Sequence, residues 1–262
     1  MSWLAMLVLG LGVADLVGGA VTRARWAPQA SGAAAMALVF GLGHLWAGPA
    51  PAAAWLALAA SLACLQLWRT HAPRAELGVG HARAALGAAG ATVVLVLAAS
   101  GLAGPVAGPL AGWLAWLQVP GLAGRAPTTA LALGAWGLFH LSSANHVVRA
   151  VLVAVGATPT RGATGASGGT PLVRPAQRLR GGRLLGPMER LLIFGLTLAG
   201  NLEAAALVIA AKGLLRFPEL QAVARSETPL GQPPSTVDEV TEYFLVGSFT
   251  SWLIALGSTL LV

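Results

Sequence analysis

The residues able to do chemistry are few and gathered. Glu189, Arg190, Asn201, Glu203, Lys212 and Arg216 fall within a 28-residue stretch otherwise made of Leu, Ala, Ile, Gly and similar apolar types. A carboxylate in an apolar medium has its pKa raised and can act as a general base. A lone cation in the same medium attracts an anion. Either group costs roughly 2.5–3.5 kcal/mol to place at the centre of a bilayer, so it faces a cavity or a partner. Read as one straight helix at about 100° per residue, Arg190, Asn201 and Lys212 form a stripe that drifts only about 20° per 11-residue step. Glu189 and Glu203 form a second stripe, roughly 140° around. Two polar faces exclude a lipid-facing helix and place this one inside a bundle.

A second gathering closes the preceding apolar run, where Ser142, Asn145, His146 and Arg149 share about 100° of arc. Asp15 sits in the first apolar run, and Glu242 and Tyr243 open the last. The expected arrangement is a polar pocket of Asp15, Asn145, Arg149, Glu189 and Arg190 at one end. Lys212, Arg216 and Glu242 are expected at the other. With Asn201 and Glu203 near mid-span, these ten residues are the candidate site.

Three chemistries fit such a set. The preferred one is a carrier or binding protein that holds an anionic metabolite or lipid headgroup through Arg149, Arg190 and Lys212. The second is a structural subunit of a membrane complex, with ion pairs that specify helix assembly and a membrane-protein partner. The third is an intramembrane enzyme on a lipid-linked substrate, with Glu189 or Glu203 as base. No serine or cysteine nucleophile signature accompanies those acids, so no catalytic residue is assigned. Histidines 44, 71, 81, 140 and 146 lack helical metal-ligand spacing, and Cys64 is the only cysteine. No metal, cofactor or intrachain disulfide is expected. Helix capping competes for some acids. Glu189 follows Pro187 at an expected first turn, and Thr236 with Glu239 has capping-box spacing.

The elements that must position these residues follow from composition. Hydrophobic residues make up 56% of the 262, and charged residues only 10%, against roughly 25% in soluble domains. The mean hydropathy is +0.74. The expected fold class is all-α: a polytopic transmembrane helical bundle of about seven spans, its lipid partner the bilayer. Apolar length and Gly, Pro and Arg punctuation place the spans at Trp3 to Val21, Ala30 to Ala47, Ala52 to Trp68, Ala84 to Ala103, Thr128 to Val155, Pro187 to Phe217 and Glu239 to Leu261. Pro105 to Gln118 is too short to cross and is expected to be re-entrant or interfacial. The chain divides into N-terminal helices (1–155), a basic Gly/Pro-rich loop (156–186) whose Gly162 to Thr170 tract is a flexible linker, and C-terminal helices (187–262) in the same bundle. The start of the chain has no basic n-region and carries Asp15, so it is expected to remain as the first span.

The formal net charge of +7 does not indicate nucleic acid, because the arginines cluster in short connections between apolar runs. That distribution follows the positive-inside rule. It implies a bacterial inner-membrane protein with its N-terminus outside and its C-terminus cytoplasmic. Trp3, Trp46, Trp55 and Trp68 near expected span ends agree with interfacial anchoring.

Four segments carry a resemblance: Gly182-Arg183-Leu184-Leu185-Gly186-Pro187-Met188-Glu189-Arg190, Asn201-Leu202-Glu203-Ala204, Ala210-Ala211-Lys212-Gly213-Leu214-Leu215-Arg216-Phe217, and Glu242-Tyr243-Phe244-Leu245-Val246-Gly247. They resemble a bacterial polytopic membrane protein family known only as a domain of unknown function. Asn145 and Arg149 match an upstream Asn-x-x-x-Arg element more weakly. Gly213 stands where that family often has serine, and Asn201 where glutamine is commoner. The resemblance covers about a third of the chain and implies that the polar residues are the family's signature. It implies no reaction.

Overall fold

The structure is a computed structural model that describes residues 1–20, 24–117, 121–157, 182–226 and 235–262, without the side chains of 182–184, 215–226 and 235–241. Among the described residues there are ten α-helices and no strand. In order they are α1 (Ser2–Ala20), α2 (Ala27–Leu42), α3 (Pro51–His71), α4 (Val79–Ala98), α5 (Gly108–Trp116), α6 (Pro127–Leu141), α7 (Ser143–Ala154), α8 (Gly182–Leu198), α9 (Leu202–Ser226) and α10 (Ser235–Thr259). The all-helical expectation holds. Three helical stretches, Ser2–Ala20, Pro51–Leu77 and Val79–Ala98, are long and apolar enough to cross a membrane.

α1 is the centre of the bundle. Trp3, Leu4, Met6, Leu7, Leu11 and Ala14 are all buried, against residues of α2, α3 and α6. Small residues make that approach close. A Cβ on Gly32 of α2 would lie 2.7 Å from the Gly10 carbonyl and 2.9 Å from Ala14 Cβ, the kind of contact that packs helices without a hydrophobic drive between them. Pro at the first position starts α3 and α6, where its missing N–H costs nothing. The segment expected to be re-entrant contains only the nine-residue α5, packed against α2 and α6. Gln118 lies outside the described residues, as does most of the expected basic loop, from 158 to 181.

Two expected spans are broken. The run from Thr128 to Val155 is interrupted at Ser142, which separates α6 from α7. The Ser142 Oγ lies 2.8 Å from the Leu138 carbonyl and 2.9 Å from the Gly12 carbonyl of α1, so the break is tied to the central helix.

The stretch read as one helix from Pro187 to Phe217 is a hairpin, α8 and α9. Gly200 takes φ +76°. Its N–H donates to the Thr197 carbonyl at 2.9 Å, and the Asn201 N–H donates to Leu196 at 2.9 Å. This pair of bonds is the Schellman stop, which wants glycine at its left-handed position. Asn201 Oδ1 then accepts from the Ala204 N–H at 3.1 Å and caps the start of α9. Pro187, expected at a first turn, lies inside α8.

The hairpin changes where the chain ends. α10 runs antiparallel to α6 and α7: Gly247 lies against Val148 and Leu152, and Ser258 meets His140 further back along the chain. Its last turn therefore lies toward the beginning of α6, where Val106 N–H donates to Thr128 Oγ1 and Ser2 Oγ donates to the Gly104 carbonyl. Both termini lie at this end of the bundle. The extra reversal at Gly200 is the physical reason.

Candidate functional site

The expected pocket of Asp15, Asn145, Arg149, Glu189 and Arg190 is not one cluster. The structure distributes those residues among four separate polar contacts and adds partners the sequence reading passed over.

Asp15 is 4% exposed and engages α3. Its Oδ1 accepts from Arg69 Nη1 at 2.8 Å, and its Oδ2 accepts from Trp68 Nε1 at 2.8 Å. Gly18, one turn along α1, makes room: a Cβ there would stand 2.7 Å from Arg69 Nη2. Sequence reasoning counted Arg69 as a loop charge and Trp68 as an interfacial anchor. The available signal was Gly18, whose bare backbone lies on the Asp15 face three residues on.

Arg149 pairs through Nε with Glu76 Oε1 at 3.2 Å, in the connection between α3 and α4. The side chains are 52% and 36% exposed, so solvent screens the pair, and its contribution is about 0–1 kcal/mol.

Arg190 of α8 is 3% exposed and joins three helices. Its Nη2 donates to Asn145 Oδ1 of α7 and to the His140 carbonyl of α6, the latter at 3.3 Å. Its Nη1 donates to Ser251 Oγ of α10 at 3.2 Å. His140 lies in the last turn of α6, whose carbonyls lack intrahelical donors and carry the negative end of the helix dipole. The guanidinium thus meets a partial negative charge where the helix is interrupted. No carboxylate stands within ion-pair distance of Arg190 among the described residues. His140 is fully buried, and its Nε2 lies 3.0 Å from Ser258 Oγ. That hydroxyl donates to the Ala255 carbonyl at 2.8 Å, which leaves His140 Nε2–H as the donor. Ser248, Ser251 and Ser258 are all buried on α10. Their spacing of three and seven is a stripe of small polar residues, and it was the sequence signal for this contact.

Glu189 turns to the other side of α8. Its Oε2 meets Lys212 Nζ of α9 at 2.6 Å, and its Oε1 accepts from Trp252 Nε1 of α10 at 3.1 Å. Lys212 Nζ also lies 5.9 Å from the Trp252 ring centroid, within reach of a cation–π contact. Lys212 was expected at the end opposite Glu189; the hairpin brings it back.

Asn201 and Glu203, expected near mid-span, are exposed at the hairpin turn. Asn201 caps α9, and Glu203 sits in its first turn, where a negative charge suits the helix dipole. Glu242 is exposed on α10, and Lys212 takes Glu189 rather than Glu242. The side chains of Arg216, Thr236 and Glu239 lie outside the described residues, so their expected roles do too.

Two apolar grooves accompany these contacts. One of ≈ 450 Å³ is bounded by Leu38, Val39, Leu42, Pro109, Leu110 and Trp113. The other, ≈ 250 Å³, lies between Trp136 and Phe139 on α6 and Leu253, Gly257 and Leu261 toward the end of the chain. Neither reaches Arg190 or Glu189. Among the described residues no group of three or more His, Cys, Asp or Glu could hold a metal ion. Chemically, the arrangement joins helices: Asp15 links α1 to α3, Arg190 links α8 to α6, α7 and α10, and Glu189 links α8 to α9 and α10. The chain matches no protein-family model, no curated protein and no solved structure.

Proposed function

We propose that the chain is an eight-crossing helical protein of a bacterial inner membrane whose interior charges are structural latches, making it a scaffold component of a membrane assembly. The crossings would be α1, α2, α3, α4, α6 with α7, α8, α9 and α10, with α5 at the interface. Charge distribution supports this reading. Among the described residues, Arg125 is the one Lys or Arg in a connection at the end that holds both termini. The opposite end would then be cytoplasmic under the positive-inside rule.

The observation that carries the scaffold reading is the pairing of Asp15 with Arg69 and of Glu189 with Lys212. Both carboxylates are spent on bonds between helices. A polar cavity reaching Asn201 and Glu203 would have supported a carrier, and those residues form an exposed turn instead. One observation favours the carrier reading: Arg190 is buried with neutral partners, and its Nε has none. An anionic metabolite or lipid headgroup would compensate that charge.

Native mass spectrometry with lipidomics on the purified chain separates the two, comparing wild type with Arg190→Ala and Lys212→Ala. The scaffold reading expects no selectively retained anion and a loss of thermal stability in both variants. Retention of one anionic species, lost in Arg190→Ala, would replace it with the carrier.

A further inference from the structure

His71 and His81 belong to neither latch, and the fold sets them face to face. His71 is the last residue of α3 and His81 the third of α4, and their Nδ1 atoms lie 3.0 Å apart. The ring centroids are 5.2 Å apart, with planes inclined by 38°. Both rings are partly exposed, at the arginine-rich end of the bundle, and therefore open to ions from water. We propose that His71 and His81 form the protein's half of a binding site for a divalent transition-metal cation of the zinc, nickel or copper class.

The distance is the argument. Two imidazole nitrogens bound to one zinc ion at roughly 2.0–2.1 Å, at angles between 90° and tetrahedral, stand about 2.9–3.4 Å apart. The observed 3.0 Å lies inside that range, and the centroid separation of 5.2 Å places both nitrogens close to the line joining the rings, so a cation enters once both rings turn to aim their lone pairs at a shared point beside that line. Imidazole pairs suit zinc, nickel and copper, whereas magnesium and calcium take oxygen donors. Water supplies the remaining ligands, since no third His, Cys, Asp or Glu completes the set among the described residues. Without metal, the same two atoms make an N–H···N hydrogen bond, one ring donating and the other accepting. The neighbouring charges are already engaged or face water: Arg69 holds Asp15, Glu76 holds Arg149, Arg74 donates to the Thr70 carbonyl at 2.6 Å, and Arg83 is exposed. A bound cation would staple α3 to α4 two residues beyond Arg69, and so brace the turn of α3 that holds Asp15.

The test is isothermal titration of the metal-stripped, full-length chain in detergent with zinc and then nickel, alongside visible absorption with cobalt. One equivalent should bind per chain, with affinity falling more than about tenfold in His71→Gln and in His81→Gln. His44→Gln should bind as wild type does. Glutamine can replace the lost hydrogen bond, and an unchanged circular-dichroism melt in the absence of metal identifies variants that remain folded. Absence of saturable binding by the folded wild type, or equal binding by the folded glutamine variants, overturns the proposal. Both outcomes are independent of whether the interior charges serve as latches or as an anion site.

Discussion

Glu189 and Lys212 stand 23 positions apart in the chain, yet their side chains meet at 2.6 Å. A continuous helix would hold them about 34 Å apart. The contact exists because Gly200 reverses the chain, and it ties the returning helix α9 to α8 while Trp252 holds the second carboxylate oxygen from α10. Charge reversal tests it. Lys212→Glu should lower the thermal midpoint in detergent. Adding Glu189→Lys should restore part of the loss, with a coupling energy of about 0.5–3 kcal/mol. Additive effects in that double-mutant cycle would show that the pair contributes no direct interaction.

The reversal itself rests on two adjacent residues. Gly200 occupies the left-handed region at φ +76°, where a side chain costs roughly 1–2 kcal/mol. Gly200→Val should destabilise the fold by at least that amount, while Gly200→Asn should be milder because asparagine visits this region. Asn201→Ala removes the cap on α9 and should cost about 1 kcal/mol, with Asn201→Asp retaining most of it. Equal melting of Gly200→Asn and Gly200→Val would show that the left-handed turn is not limiting.

The Asp15 contact should be the most sensitive to truncation. Asp15→Ala would leave Arg69 and Trp68 Nε1 without their acceptor in a nearly closed site, a change that typically costs about 3–5 kcal/mol. Asp15→Asn keeps an acceptor for one of the two donors and should lose less. Gly18→Leu should imitate Asp15→Ala, because Arg69 lies across that backbone. Thermal denaturation of the three variants gives the order, and a Gly18→Leu protein as stable as wild type would contradict it.

An even number of crossings has a consequence that labelling reads directly. Arg125→Cys and Val262→Cys should react with an impermeant maleimide from the same side of the membrane, and Arg74→Cys from the other. Cys64, the native thiol, is buried and should stay silent. Labelling of positions 125 and 262 from opposite sides would rule out eight crossings.

Composition and apolar length were enough to read the helical class, because covering 56% hydrophobic sequence with so few charges leaves helices packed on helices as the available solution. They also located most helix positions and the short α5 segment, and among the ten candidate residues they included Asp15, Asn145, Glu189, Arg190 and Lys212, which have partners on other helices, together with Asn201, Glu203 and Glu242, which are exposed. They did not reveal the partners. Periodicity assumes a straight helix, so the stripe joining Arg190, Asn201 and Lys212 dissolved once Gly200 and Asn201 ended one helix and capped the next. That signal was present in the Gly-Asn pair, but an unbroken apolar run outweighed it. Arg69, Trp68, His140 and Ser251 became functional neighbours through contacts spanning 50 to 61 positions. No local pattern encodes such a contact, because which face of one helix meets which face of another is decided only when side chains interlock in three dimensions.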